Sequence, residues 1–277
     1  MPTSPAPGPA PLTAGTVRDL VFARCAVTAA QCPNDVFHSG TADDAVRGVV
    51  TTFQATVAVI RQAAARGASL IVTHEPTFWL EQPEFQRRLE RDPVRLAKAK
   101  LLADHGIAIW RCHDALHRCA SGDIITAGVE RRLGWPLMRG ADGVYTLPGT
   151  PLATLAAELG RKLGSGAARY VGDPGQVCRS VAMCLGAHWS LSQMQALLPE
   201  NGGPGADVVI CGESREWETP EYVRDALALG HAKAVILVGH AASEEAGMDE
   251  LGDWLRTQLT GLAVAHLPCG DPFRIAG

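Results

Sequence analysis

The sequence predicts an α/β protein, a mostly parallel mixed sheet flanked by helices, and two observations predict it. Short β-branched runs alternate along the chain with longer stretches of helical period, which is the pattern a parallel sheet with crossover helices requires. The length of 277 residues fits one large α/β domain or two modest ones, because single cores stop growing near ~250–300 residues. Gly48–Phe53 reads as a strand, Ala55–Arg66 as a helix with apolar Val57, Ile60 and Ala64, and Ser69–Thr73 as the next strand. Asp92–His105 is helical through Val94, Leu96, Ala97 and Leu101, and the strand Ile107–Cys112 closes a second crossover.

The middle of the chain changes texture. Glycine and proline cluster around Gly140–Gly149 and Gly172–Gly175 and enclose a helix from Pro151, with Thr150 as its cap and Leu152, Leu155, Leu159 and Leu163 along one side. This second, smaller lobe continues through a strand at Ser180–Cys184, a helix capped by Ser190, a strand at Asp207–Cys211 and a helix opening at Thr219-Pro220-Glu221. The chain is then expected to return to the main sheet with the strand Lys233–Val238. A helix Ser243–Leu259, carrying Met248, Leu251, Trp254 and Leu255, and a closing strand Gly261–His266 follow. The expected division is a disordered lead at 1–15, a first lobe of 16–125 with 235–277, and an inserted lobe of 126–234.

Composition removes several classes of function. With 47% hydrophobic and 19% charged residues the chain can build an ordinary core without a disulfide or metal to hold it. A net charge of −4 leaves no diffuse basic surface for a phosphate backbone, so no nucleic-acid partner is expected. The apolar runs, such as Ala234–Val238, fall far short of the ~20 residues that cross a bilayer, so no membrane partner is expected either. The lead lacks the charged and apolar regions of a secretion signal. Eight cysteines without a C-x-x-C pair suit free thiols in a reducing, cytoplasmic setting.

Ligands of open α/β sheets gather beyond the carboxyl ends of strands, and three of the predicted strands end in metal-binding residue types. Ser69–Thr73 runs into His74-Glu75-Pro76. Ile107–Cys112 runs into His113-Asp114-Ala115-Leu116-His117, where a helical turn would set His113 and His117 on one face. Lys233–Val238 runs into Gly239-His240, with Glu244 four residues on. One such pair is ordinarily a surface contact worth ~0.2–0.5 kcal/mol. Three at the expected edge of one sheet point instead to a metal centre.

Imidazoles and carboxylates, with no cysteine read as a plausible partner ligand, favour zinc, iron, manganese, cobalt or nickel. More than four candidate ligands imply two divalent ions sharing a carboxylate and a water, with Glu75 and Glu244 as the candidates to bridge. Whether His113 touches a metal or supports His117 is open at this point.

Five motifs carry a resemblance: LIVTHEPTFW at Leu70–Trp79, IAIWRCHDALH at Ile107–His117, VVICGESREWE at Val208–Glu218, VGHAASEEAGM at Val238–Met248 and CGDPF at Cys269–Phe273. Together they are similar to those of the Nif-three-like family of dinuclear-metal-centre proteins, some of which are named type-two GTP cyclohydrolase homologues. The likeness runs from about Asp35 onward. That family usually has a second histidine where this chain has Glu75, and an aspartate where it has His117. The five matched positions, His74, Glu75, His117, His240 and Glu244, still offer three imidazoles and two carboxylates.

The resemblance implies a Nif-three-like fold, a toroidal homo-hexamer and polar residues near its cavity at Glu213-Ser214-Arg215-Glu216. Glu213 and Glu216 are candidates there for a proton donor or substrate contact, and a solvated loop is the plain alternative. Mid-chain is too short for the inserted domain of some relatives. The expected activity is hydrolysis of a small molecule at a C–N, amidine-like or phosphoester bond by a metal-bridging water. The alternatives are a non-catalytic metal-binding, regulatory or scaffold protein, and a purely structural oligomer.

Overall fold

The computed structural model describes residues 12–80, 82–135, 138–140, 143–166, 168–187, 190–199, 203 and 205–274. In chain order they form α1 (Ala14–Cys25), β1 (Phe37–Ser39), β2 (Gly48–Thr52), α2 (Val57–Ala65), β3 (Leu70–Thr73), α3 (Pro83–Leu89), α4 (Pro93–His105), β4 (Ala108–Arg111) and α5 (Asp114–His117). There follow α6 (Ile124–Leu133), β5 (Tyr145–Pro151), α7 (Leu152–Leu163), β6 (Arg169–Val171), β7 (Val177–Cys184) and α8 (Ser190–Leu197). β8 (Val208–Cys211), α9 (Thr219–Ala228), β9 (Ala234–Leu237), α10 (His240–Gln258) and β10 (Ala263–His266) complete the chain. Two compact units result, one of Met1–Asp123 with Leu251–Cys269 and one of Ile124–Glu250 with Gly270–Gly277.

The first unit holds a sheet of order β1-β4-β3-β2-β10, parallel except for the antiparallel outer strand β1. β2, β3 and β4 are buried along their whole length, which is why they read as unbroken β-branched runs and not as alternating ones. Val50, Ile71 and Ile109 pack there against Val59, Ile60 and Ala63 of α2 and Leu102 of α4. The helices begin and end where their side chains allow. The Thr56 hydroxyl accepts from Val59 N–H at the start of α2, and the Asp92 carboxylate accepts from Arg95 N–H at the start of α4. Gly106 closes α4 in the left-handed conformation.

The second unit holds a sheet of order β5-β7-β8-β9-β6, with β7, β8 and β9 parallel and both outer strands antiparallel. Leu152, Leu155, Leu159 and Leu163 lie on one side of α7 and bury against Val181, Val208, Ile210 and Ile236. α6 and α10 meet at a glycine crossing. A Cβ on Gly128 would lie 2.4 Å from the carbonyl oxygen of Ala246, and one on Gly247 would lie 2.4 Å from the Cα of Ile125.

Several expectations need correction. Lys233–Val238 does form a strand at its centre, but β9 pairs with β8 and β6 and so belongs to the second sheet. The three ligand-bearing strands therefore do not share one sheet edge. Residues 235–250 accordingly fall in the second unit and not in the first lobe. Thr150 caps nothing, because the β5–β7 ladder takes it opposite Cys178 and Pro151 holds the N-cap position. α10 starts at His240, three residues before the expected Ser243. Of the supposed disordered lead, residues 1–11 lie outside the described residues. Thr13 instead caps α1, with Ala14 and Gly15 buried. No helix among the described residues is long and apolar enough to cross a membrane.

The glycine crossing yields a prediction. Gly247→Ala should lower the free energy of unfolding by about 1–3 kcal/mol, because the added methyl meets backbone that cannot step aside. Urea unfolding measures it, and an unchanged midpoint would mean that α6 and α10 do not approach this closely.

Candidate metal centre

β3 delivers His74 into the interior, where the residue is fully buried. Backbone bonds hold the turn that follows, His74 N–H shared between Thr52 O and Phe53 O and Glu75 N–H donating to Phe53 O. Glu75 offers a carboxylate oxygen within 4.8 Å of a His74 ring nitrogen. Arg111, at the end of β4 and itself buried, donates from Nε to the His74 carbonyl at 3.0 Å and lies 3.5 Å from Glu75 Oε2 through Nη2.

α5 supplies two more imidazoles. It is a single turn, and Asp35 holds it. The Asp35 carboxylate accepts from three consecutive backbone N–H groups, those of His113 at 2.8 Å, Asp114 at 2.7 Å and Ala115 at 3.0 Å. Those are the donors a helix start leaves without an internal partner. Asp114 answers by accepting from the backbone and side chain of Asn34. The turn sets the His113 and His117 ring centres 4.8 Å apart, and they lie 4.6 Å and 5.1 Å from the His74 ring.

The partners of the three rings fix their chemistry. His74 Nδ1 faces the Cys112 carbonyl at 3.2 Å, His113 Nδ1 faces Asp114 Oδ1 at 3.1 Å, and His117 Nδ1 faces Asp123 Oδ2 at 2.9 Å. A carbonyl or carboxylate oxygen only accepts, so in each case Nδ1 carries the proton and donates. In its neutral form each ring would then have its lone pair on Nε2. Ligand atoms of the three lie within 4.8 Å of one another. An imidazole tied through one nitrogen to an oxygen, with the other presented to a cation, is the usual arrangement at protein metal sites. The donor set thus fits a divalent metal ion.

The charges around His113 follow from burial. Burial, assisted by the neighbouring His74 and His117 rings, pushes His113 down from 6.5 to about 4, against the opposing hydrogen bond to Asp114. Burial also works to raise Asp114, but the bonds from Asn34 and His113 outweigh it and hold that carboxyl below its ordinary range. His113 is therefore neutral, and Asp114 an ionised acceptor, at neutral pH.

The second unit builds a different group at the start of α10. His240 Nδ1 lies 3.1 Å from Glu213 Oε1, and its Nε2 lies 3.1 Å from Glu244 Oε2. The hydrogen bond from His240 is the main cause that keeps the Glu213 carboxyl below its usual range. Glu244 is buried, and the adjoining Gly186, left-handed at φ +67°, has no room for a side chain: a Cβ would stand 2.1 Å from Glu244 Oε1. Ser243 ties the group together by donating to the His240 carbonyl and accepting from Gly186 N–H. Fully buried Gln193 donates to the Glu213 carbonyl and accepts from the Ser214 hydroxyl, which positions the turn after β8.

The structure thus brings His74, Glu75, His113 and His117 together in one unit, and His240, Glu244 and Glu213 together in the other. Glu216 goes elsewhere: it is exposed and pairs with Arg169 Nη1 at 3.0 Å. Sequence reading missed Asp35, Arg111, Asp114, Asp123, Gln193, Ser243 and Gly186. Asp114 sits inside a quoted motif and was within reach. Asp35 lies 78 residues from the backbone group it holds at His113, and no local pattern marks it.

A pH dependence follows. The folded-state value of His113 is about 4, below the 6.5 of an unperturbed histidine, so the unfolded chain takes up this proton first. The metal-free protein should therefore lose stability as pH falls from about 6.5 toward about 4, and His113→Gln should lose less over the same window. Urea unfolding of both proteins at pH 7 and pH 5 compares them. Equal losses would mean that the His113 ring takes up its proton as readily in the folded chain as in the unfolded one.

Comparison with known proteins identifies the family. Residues 28–269 match the family model described as Duf34/NIF3 (NGG1p interacting factor 3). The chain is 27% identical over 241 residues to the GTP cyclohydrolase 1 type 2 homolog of Escherichia coli strain K12, covering 83% of this chain and 87% of that one. It is 28% identical over 232 residues to the protein of the same name from Yersinia pestis, covering 82% and 85%. Among solved structures, the Bacillus cereus protein related to NIF3 superposes with a TM-score of 0.71 at 15% identity, covering 95% of this chain and 99% of that one. With the fold shared and the family model spanning both units, this chain belongs to the Duf34/NIF3 family.

Proposed function

We propose that the chain is a metal-dependent hydrolase of a small molecule, holding two divalent ions with His74, Glu75 and His117 from the first unit and His240 and Glu244 from the second. The observation that carries this reading is the imidazole cluster whose Nδ1–H groups are all committed to oxygens. The name borne by its relatives in Escherichia coli and Yersinia pestis, GTP cyclohydrolase 1 type 2 homolog, supports the hydrolytic class. Mixed imidazole and carboxylate donors suit zinc, iron, manganese, cobalt or nickel. When bound, such a pair supplies Lewis acidity toward a C–N, amidine-like or phosphoester bond and makes a nearby water more acidic.

The chain's own residues prepare the site. Arg111 holds the Glu75 turn by the His74 carbonyl, and Asp35 holds the turn that carries His113 and His117. Glu213, ionised at neutral pH, orients the His240 ring by accepting from Nδ1 and so is a positioning residue, not a proton donor. Glu75 and Glu244 are the carboxylates that would be offered to the ions. A toroidal hexamer in the cytoplasm completes the proposal, and light scattering should return six chain masses.

Protein purified without added metal should carry about two ions per chain, the number one dinuclear centre takes. Under half an ion per chain would sink the reading. His240→Ala should retain about half of the wild-type metal, since the first unit keeps its own donors. A panel of amides, cyclic amidines, nucleotides and phosphoesters should contain at least one compound whose release stops with chelator and resumes with metal. Metal without any such release would make the chain a metal-holding protein without turnover.

A further inference from the structure

We propose that Cys25 and Cys119 form an oxidisable thiol pair, which a peroxide converts to a disulfide joining the end of α1 to the turn after α5. Both residues lie in the first unit. No metal ion enters the chemistry.

The two cysteines come from distant parts of the chain and meet through backbone and side chain alike. Cys25 is the last residue of α1, and Ala26 beyond it is left-handed at φ 54°, so the chain leaves the helix there. α5 ends at His117, and the chain then passes close to α1, where Ala120 N–H donates to the Cys25 carbonyl at 3.0 Å. That bond joins the peptide group following Cys119 to the peptide group following Cys25. Each group is attached directly to its cysteine's α-carbon, which brings the two α-carbons close to the ~4.4–6.8 Å span that a disulfide bridges. The side chains turn toward each other as well, and the thiols share a hydrogen bond.

Exposure sets the order of events. Cys119 is 6% exposed and Cys25 0%, so a small oxidant meets Cys119 first. The Cys119 sulfur attacks one peroxide oxygen, the O–O bond breaks, and water leaves with the thiol proton to give a sulfenic acid. The Cys25 sulfur then attacks the Cys119 sulfur, the S–O bond breaks, and a second water carries away the remaining proton. Two thiols lose two electrons and the peroxide gains them. The loop closed in this way contains β1 to β4 and α2 to α5, so the bond restricts the unfolded chain far more than the native one.

Hydrogen peroxide treatment of the full chain tests this. Peptide mapping without reduction should find Cys25 and Cys119 linked, with the loss of two hydrogens, before any other pair of cysteines is joined. The oxidised protein should unfold at a higher urea midpoint than the reduced one, and dithiothreitol should restore the lower value. In Cys25→Ser, Cys119 should stop at the sulfenic acid and be captured by dimedone. Wild type in which the two cysteines remain thiols, or end separately as sulfinic acids, overturns the proposal whether or not the variant folds. So does a linked protein with a lowered urea midpoint, since the native backbone would then not accommodate the bond.

Discussion

The site depends on one kind of interaction, a ring N–H held by an oxygen that can only accept. Without the Cys112 carbonyl, Asp114 and Asp123, each imidazole could rotate or change tautomer, and the three rings would not keep one arrangement. The rest of the first unit serves those contacts. β4 brings the Cys112 carbonyl beside His74, and Asp35 gathers the N–H groups of α5 so that the turn stays wound with only four residues. A turn that short has little helical stability of its own, since nucleation is the costly step. Its permanence comes from a carboxylate far away in the chain.

The second unit solves a similar problem with different parts. There the ring lies between two carboxylates, and the neighbouring loops are fitted to them by glycine and by a buried amide. The first unit thus presents mainly imidazole nitrogen and the second mainly carboxylate oxygen. Nitrogen-rich and oxygen-rich surroundings suit different ions and different protonation states. The asymmetry is a property of the chain before any ion is considered.

Much of this was legible in the sequence, for definite reasons. Fully buried parallel strands announce themselves as β-branched runs, and His74, His113 and His240 follow such runs within three residues, with His117 and Glu244 one helical turn further on. The i, i+4 spacing of His113 and His117 translated into ring contact as helical geometry requires. What could not be read was which sheet a strand joins. β9 is as apolar as β3 and β4, and its membership in the second sheet is decided by pairing with β8 and β6, which local sequence does not encode. The outer strands β1 and β6 are three residues long and carry too little pattern to be seen. Glu216 went astray for the opposite reason: it lies three residues from Glu213, but the loop turns it outward to Arg169.

Gly186 has a wider use. Its backbone lies so near the Glu244 carboxylate that any side chain there, already strained at φ +67°, would force the carboxylate to shift. A related chain that keeps the acid but replaces this glycine must have moved the acid, whatever its motif suggests. The identity of one small residue, far from Glu244 in the primary structure, thus reports on where that carboxylate can sit.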